Sequence, residues 1–356
     1  MPPELDTAPG KPTARLVIVT GSGRSGTSTA AGALKKLGLY VPQPEIDAND
    51  ANPRGYFEPK WAVEFHKRVL GDAGVRTLDG RPGAWELMRA TTAKPQFKAE
   101  LKEWFATQLQ GPQIVVKDPR TFWLRDLWVD VATELGVHTE WLTMLRHPAE
   151  VVGSRDMHYL KKADEQRRHS RETANIAGWV NVALTNEKAS RGSQRAFAHY
   201  TTMITDWRAA MSDVARHLDL TYNADLSGGE HHEVDDFIDS SLRRAQLTWD
   251  DLDVPRTLRD IAETVWQGLD ALSKEPDDAG AMAGLDAMRE EYDQLYVHSS
   301  ALVQDETSSA IEDARRQARR RATREAQQRL AAQQPQPAAS IPRRIVRRIR
   351  AVRAGS

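Results

Sequence analysis

The chain of 356 residues contains no cysteine. Disulfides, thiolate nucleophiles and Cys-ligated metal sites are therefore excluded, and the absence suits a cytoplasmic compartment. No apolar run approaches the roughly 20 residues of a membrane-spanning helix. Met1–Thr13 is polar and Pro-rich without an apolar core, so no secretory signal is expected. No aromatic residue follows Tyr296, which leaves the basic end of the chain without a platform for stacking bases and argues against a nucleic-acid partner. No cluster of His, Asp and Glu has metal-ligand spacing, so no metal is expected. The most telling absence is a lysine. Gly21-Ser22-Gly23-Arg24-Ser25-Gly26-Thr27-Ser28 directly follows the apolar run Leu16-Val17-Ile18-Val19, and Thr27 stands where a Walker A loop carries its lysine.

What is present still describes a phosphate cradle. A short buried strand, a glycine-rich turn and a helix over Thr27–Leu37 would aim backbone N–H groups and the positive end of the helix at an anion. The hydroxyls of Thr27, Ser28 and Thr29 add donors, and Arg24 places a permanent charge in the loop. A second segment has related chemistry. Leu142-Thr143-Met144-Leu145 reads as a strand, Arg146 stands at its end, and Ser154 follows eight positions later in a helix opened by Pro148. Arginine supplies a planar, always-charged fork for phosphate, and a serine two turns into the helix can donate to the same group. The alternative for Arg146 is an ordinary ion-pairing role.

These two segments resemble the sulfotransferases that use 3′-phosphoadenosine 5′-phosphosulfate (PAPS). The loop is similar to their Gly-Arg-Ser-Gly-Thr-Ser form of the 5′-phosphosulfate loop, and Arg146 with Ser154 to the pair that holds the 3′-phosphate. The resemblance implies that Ser22, Gly23, Arg24, Ser25, Gly26, Thr27 and Ser28 bind the 5′ end of the donor. It covers residues 14–220 and has no counterpart of the Arg-Lys-Gly element of cytosolic relatives. Lys117-Asp118-Pro119-Arg120, ending the strand Ile114–Lys117, and Asn52-Pro53-Arg54-Gly55-Tyr56-Phe57-Glu58 are similar to strings in bacterial members. Lys117 or Arg120 would then meet negative charge near the sulfuryl group or acceptor, or form structural ion pairs, and Arg24 and Lys117 with the loop N–H groups would stabilise charge as the sulfate–phosphate bond breaks. Glu58 is the candidate general base, with His66 the alternate, and the helix from Pro59 to about Leu70 would otherwise use Glu58 as an N-terminal charge.

The element order implies an α/β fold: a P-loop-type parallel sheet flanked by helices, with a helical C-terminal extension. Strands are expected at Leu16–Thr20, Ile114–Lys117 and Trp141–Leu145, with a weaker one at Phe197–Tyr200. Helices are expected at Trp123–Leu135 and Thr202–Leu218. The expected domains are a disordered 1–13, an α/β domain over 14–275 with an acceptor-side insertion at 40–110, a helical extension at 276–331, a linker at 332–340 and a basic tail at 341–356.

Charge is divided along the chain. From Ala314 onward there are 13 Arg, the single acid Glu325 and no Lys, a surplus of +12 that leaves −13 for the remainder of a chain with net charge −1. Ile345, Ile349 and Val352 fall on one helical face among arginines, the pattern of an interfacial helix drawn to anionic lipid. A solvated tail is the alternative. Leu285, Met288, Tyr292, Leu295, Ser299 and Leu302 make a short apolar stripe, suited to packing on the same domain or to a homo-oligomeric coiled coil. Three functional readings follow. The first is a PAPS-dependent transfer of a sulfuryl group to the hydroxyl of a small-molecule, carbohydrate, glycolipid or other lipid-linked acceptor, peripheral on the inner membrane face. The others are a P-loop kinase using ATP and Mg, and a non-catalytic membrane-associated or oligomerising protein.

Overall fold

The computed structural model describes residues 14–50, 52–159, 165–238 and 247–333. The expected disordered N-terminus, nearly all of the linker and the whole basic tail lie outside them.

Four strands form one sheet in the order β2-β1-β3-β4, every pair parallel. β1 is Ala14–Thr20, β2 Gln113–Lys117, β3 Val137–Leu145 and β4 Arg195–His199. Hence the fold is α/β, a P-loop-type parallel sheet flanked by helices. The strands are nearly continuous apolar runs because both faces are covered. Leu16 and Ile18 of β1, with Ile114 and Val116 of β2, face one core. It is built with helices α2 (Lys60–Ala73), α3 (Ala84–Thr92), α4 (Pro95–Thr107) and α5 (Arg125–Glu134). Val17 and Val19 point the other way, with Val115, Leu142 and Met144. There they meet α1 (Thr27–Lys36) and α9 (Trp207–Leu218). A third core gathers α6 (Pro148–Tyr159), α7 (Glu165–Ser190) and α11 (Arg256–Lys274) around Leu145 and Phe197.

Several elements differ from expectation. The strand expected at Phe197–Tyr200 starts two residues earlier, and Tyr200 opens a helix instead of closing the strand. β3 begins four residues earlier than its apolar run, because pairing with β1 from Ala14↔Val137 carries the buried Glu140 into the sheet. The expected helix over Trp123–Leu135 opens as a 3-10 turn, Thr121–Leu124, before α5. The expected helix over Thr202–Leu218 is two: α8 (Tyr200–Thr205) stops at Asp206, whose carboxylate accepts the Ala209 N–H at 3.0 Å and caps α9. A short α10 (Glu233–Phe237) follows.

The chain divides into two units, residues 1–296 and 297–356. Helix α12 (Ala279–Gln333) begins in the first. There Leu285 and Tyr292 are buried, with Met288 and Leu295 packed beside them, so this half of the apolar stripe belongs to its own domain. In the second unit Leu302 is 80 % exposed. Among the described residues no helix is long and apolar enough to cross a membrane.

Glu140 shows what the sheet tolerates. Its Oε1 accepts from Arg15, while Oε2 is buried without a hydrogen-bond partner among the described residues. Burial, only partly offset by Arg15, pushes its carboxyl up to about 7 from 4.5. A carboxyl raised in this way stabilises the fold in its protonated form. That contribution is complete below about 4.5 and is lost as pH rises through about 7. Melting temperatures of wild type and Glu140→Gln measured from pH 4 to 8 are therefore expected to diverge, the wild type falling relative to the variant across that window. Parallel profiles would contradict the assignment.

Candidate active site

Parallel strands place all their carboxyl ends at one edge, where open α/β sheets bind ligands. Each strand delivers one part of the site there. β1 runs into the glycine loop, Lys117 is the last residue of β2, Arg146 directly follows β3 and Tyr200 directly follows β4. They line a cavity of about 420 Å³ together with Asn52–Tyr56, Glu58, Pro119, Arg120, Ser154 and Phe237.

The loop is held by its own backbone. The Ser25 hydroxyl donates to the Ser22 carbonyl at 2.6 Å, so Ser25 builds the turn rather than facing the cavity. Ser22 is also buried and contributes no lining surface. Gly26 has φ 91°, and a Cβ there would stand 2.2 Å from the Tyr200 ring. Only glycine meets both demands. Gly26 is the N-cap of helix α1, which has no side-chain cap and no acid in its first turn. Its free N–H groups therefore open beside Gly23, Thr27, Ser28 and Thr29, which all line the cavity.

The structure brings the loop and the Arg146 segment together. Arg24 Nε donates to Ser154 Oγ at 3.1 Å, and Arg146 Nη1 donates to the Arg24 carbonyl at 3.0 Å. Arg146 is further fixed by Glu150 Oε2 at 3.0 Å and by the Tyr200 ring, 4.8 Å from its guanidinium carbon. Arg24 adopts φ 79°, an uncommon backbone for a non-glycine residue, to bring this about.

Lys117 occupies the other side of the α1 N-terminus. Its Nζ donates to Ser28 Oγ at 2.9 Å, to Glu58 Oε1 at 2.6 Å and to the Tyr56 carbonyl at 3.3 Å. A lysine from the neighbouring strand β2 thus stands beside the start of α1, where the loop itself carries none. Pro59 is the N-cap of α2 rather than its first residue, and the carboxylate of Glu58 before it bonds to Lys117 and lines the cavity. It is the one acid among the lining residues, against Arg24, Arg54, Lys117, Arg120 and Arg146.

His66 is a correction. It is fully buried in the aromatic core under α2 and does not line the cavity. Its Nε2 accepts from Trp128 Nε1 at 3.0 Å, and its Nδ1 contacts Asp118 Oδ2 at 2.9 Å. An indole N–H only donates, so the proton of the neutral ring is on Nδ1 and serves Asp118. No ring nitrogen is left to act as a base. Burial opposes the charge on Asp118, but hydrogen bonds from His66 and Arg120 hold its carboxyl below the usual carboxylate range.

Two lining residues were not foreseen. Tyr200 follows the same strand-end rule as Lys117 and Arg146, a signal that could have found it. Phe237 comes from a five-residue helix far along the chain, and no local pattern marks it.

No family model matches the chain. No curated protein matches it either. Among solved structures, it is similar to the sulfotransferase domain from the Synechococcus PCC 7002 olefin synthase, with 14% identity over 71% of this chain and 93% of that one, and a TM-score of 0.41. It is also similar to the sulfotransferase domain from the curacin biosynthetic pathway, with 12% identity over 72% of this chain and 98% of that one, and a TM-score of 0.39.

Gly26→Ala tests the loop geometry. Strain at positive φ and the collision with Tyr200 are expected to lower stability by about 2 kcal/mol or more. Denaturant titration reads this directly, and an unchanged midpoint would contradict it.

Proposed function

We propose that the chain is a PAPS-dependent sulfotransferase, moving a sulfuryl group to an acceptor hydroxyl. The observation that carries this reading is the Arg24–Ser154 and Arg146–Arg24 contact pair, which joins two phosphate-binding segments more than 120 positions apart into one cavity wall. A nucleotide with phosphates at both its 5′ and 3′ positions needs two such sites, whereas ATP needs one. The residues present suit that donor: free N–H groups at an uncapped helix start, the hydroxyls of Thr27, Ser28, Thr29 and Ser154, and five cations around one carboxylate.

PAPS supplies the activated sulfuryl group as a phosphosulfate anhydride. The loop, with Thr27 and Ser28, would hold its 5′ phosphate, and Arg146 with Ser154 its 3′ phosphate. Lys117, at the helix start, stabilises charge on the side where the anhydride breaks. It also orients Glu58, which faces the cavity and accepts the proton of the acceptor hydroxyl. Catalysis is then positioning and preorganised electrostatics, with no covalent intermediate on the protein. The acceptor enters past Asn52–Tyr56, the part of the 40–110 insertion that lines the cavity beside Glu58. A carbohydrate or lipid-linked hydroxyl compound is the proposed class, in keeping with the membrane-directed composition of 341–356.

A ligand that binds only the folded state stabilises it by about 2.7 kcal/mol at a hundredfold excess over its Kd. Adenosine 3′,5′-bisphosphate is expected to raise the melting temperature by several degrees, and ATP with Mg to leave it unchanged. Stabilisation by ATP with Mg alone would overturn the reading in favour of a kinase. Stabilisation by neither would overturn it in favour of a cavity without nucleotide.

A further inference from the structure

Asp118 and His66 are both completely buried, and hydrogen bonds from His66 and Arg120 favour the carboxylate form of Asp118. Burying a carboxylate costs several kcal/mol before its partners are counted, and an apolar pair of similar size would fill the same space between α2 and α5. The fold instead maintains a continuous chain of donors. Trp128 Nε1 donates to His66, the His66 Nδ1–H serves Asp118 Oδ2, and Asp118 Oδ1 accepts the Arg120 N–H at 2.9 Å and Arg120 Nη1 at 2.7 Å. The chain runs from the dry aromatic core to a guanidinium that lines the cavity.

Arg120 differs from the other cations in what it is bonded to. Lys117 is bonded to Glu58 and the loop helix, Arg24 to Ser154, Arg54 to the Phe237 carbonyl, and Arg146 to Glu150 and the loop carbonyl. Among the described residues, the bonds that Arg120 donates both go to one oxygen of Asp118. Nη1 is anchored there, while Nε and Nη2 keep their donors for a ligand. A half-anchored guanidinium of this kind is preorganised for an oxyanion, because less side-chain freedom is lost when the anion binds.

We infer that Arg120, aimed by the buried Trp128–His66–Asp118 chain, forms an oxyanion subsite in this cavity separate from the two donor phosphate sites. It would take a group such as sulfate, either the sulfuryl group of the donor or an acidic substituent on the acceptor. Arg120 touches the ligand. Asp118 and His66 are positioning residues. The inference rests on the proposed donor, and the experiment separates the two.

Sodium sulfate is titrated calorimetrically into protein saturated with adenosine 3′,5′-bisphosphate, which fills the donor phosphate sites. Wild type is expected to bind sulfate, and Arg120→Met to bind it about tenfold more weakly or worse with bisphosphate affinity unchanged. Asp118→Asn keeps the side-chain shape but loses the charge that anchors the guanidinium, so it is expected to weaken sulfate although it cannot touch it. The double variant is expected to show no loss beyond that of Arg120→Met, a non-additivity that mere damage to the core would not produce. Comparing PAPS with the bisphosphate on wild type and Arg120→Met then identifies the source. A selective loss of PAPS affinity assigns the subsite to the sulfuryl group, and an unchanged ratio assigns it to the acceptor. Sulfate affinity equal in wild type and Arg120→Met overturns the inference. If the bisphosphate itself does not bind, the donor reading falls, and the same titration on unloaded protein still decides the role of Arg120.

Discussion

The parallel direction of all four strands is the constraint on which the cavity depends. Because β1, β2, β3 and β4 end at the same edge, residues separated by more than a hundred positions meet there without any long loop having to carry them. β1 lies between β2 and β3, so the glycine loop has Lys117 on one side and Arg146 on the other. The helix that follows β1 starts between these two cations with its first N–H groups uncapped by any side chain. An antiparallel strand at any of the four positions would send its terminal residue to the opposite edge.

Collecting cations in one cavity carries a repulsive cost, and the fold offsets it locally. Glu58 partners Lys117, Glu150 partners Arg146 and Asp118 partners Arg120. The Arg24 carbonyl accepts a further bond from Arg146, and the Tyr200 ring adds its π face. Each guanidinium or ammonium is therefore held before an anion arrives, and the anion need not supply the ordering energy itself. Preorganised positive charge is also what a reaction needs when negative charge shifts from a sulfuryl group to a departing phosphate.

Much of this could be read in the sequence because it is encoded locally. A strand, a glycine turn and a helix start sit within Leu16–Thr29, and Arg146 with Ser154 lies on one strand end and the helix after it. Lys117 and Glu58 were each recognisable in their own segments, but their direct contact was not, since nothing in either segment records the other. His66 looked available on an amphipathic helix. Its burial depends on Asp118 and Trp128, 52 and 62 positions away, which only the packing of α2 against the end of β2 and against α5 brings together. The early start of β3 was hidden for a similar reason: Glu140 breaks the apolar run, and its tolerance in the sheet rests on Arg15 of β1. Tyr200 obeyed the strand-end rule, while Phe237 obeyed none.

On the proposed reading, Arg146 and Ser154, joined to the loop through Arg24, recognise a 3′-phosphate. The most direct measurement is calorimetric binding of adenosine 3′,5′-bisphosphate and of adenosine 5′-monophosphate to wild type and Arg146→Ala. Wild type is expected to prefer the bisphosphate by about tenfold or more, the worth of a charge-assisted contact. The preference is expected to collapse in Arg146→Ala. Equal affinities in wild type, or a preference that survives the substitution, would contradict it.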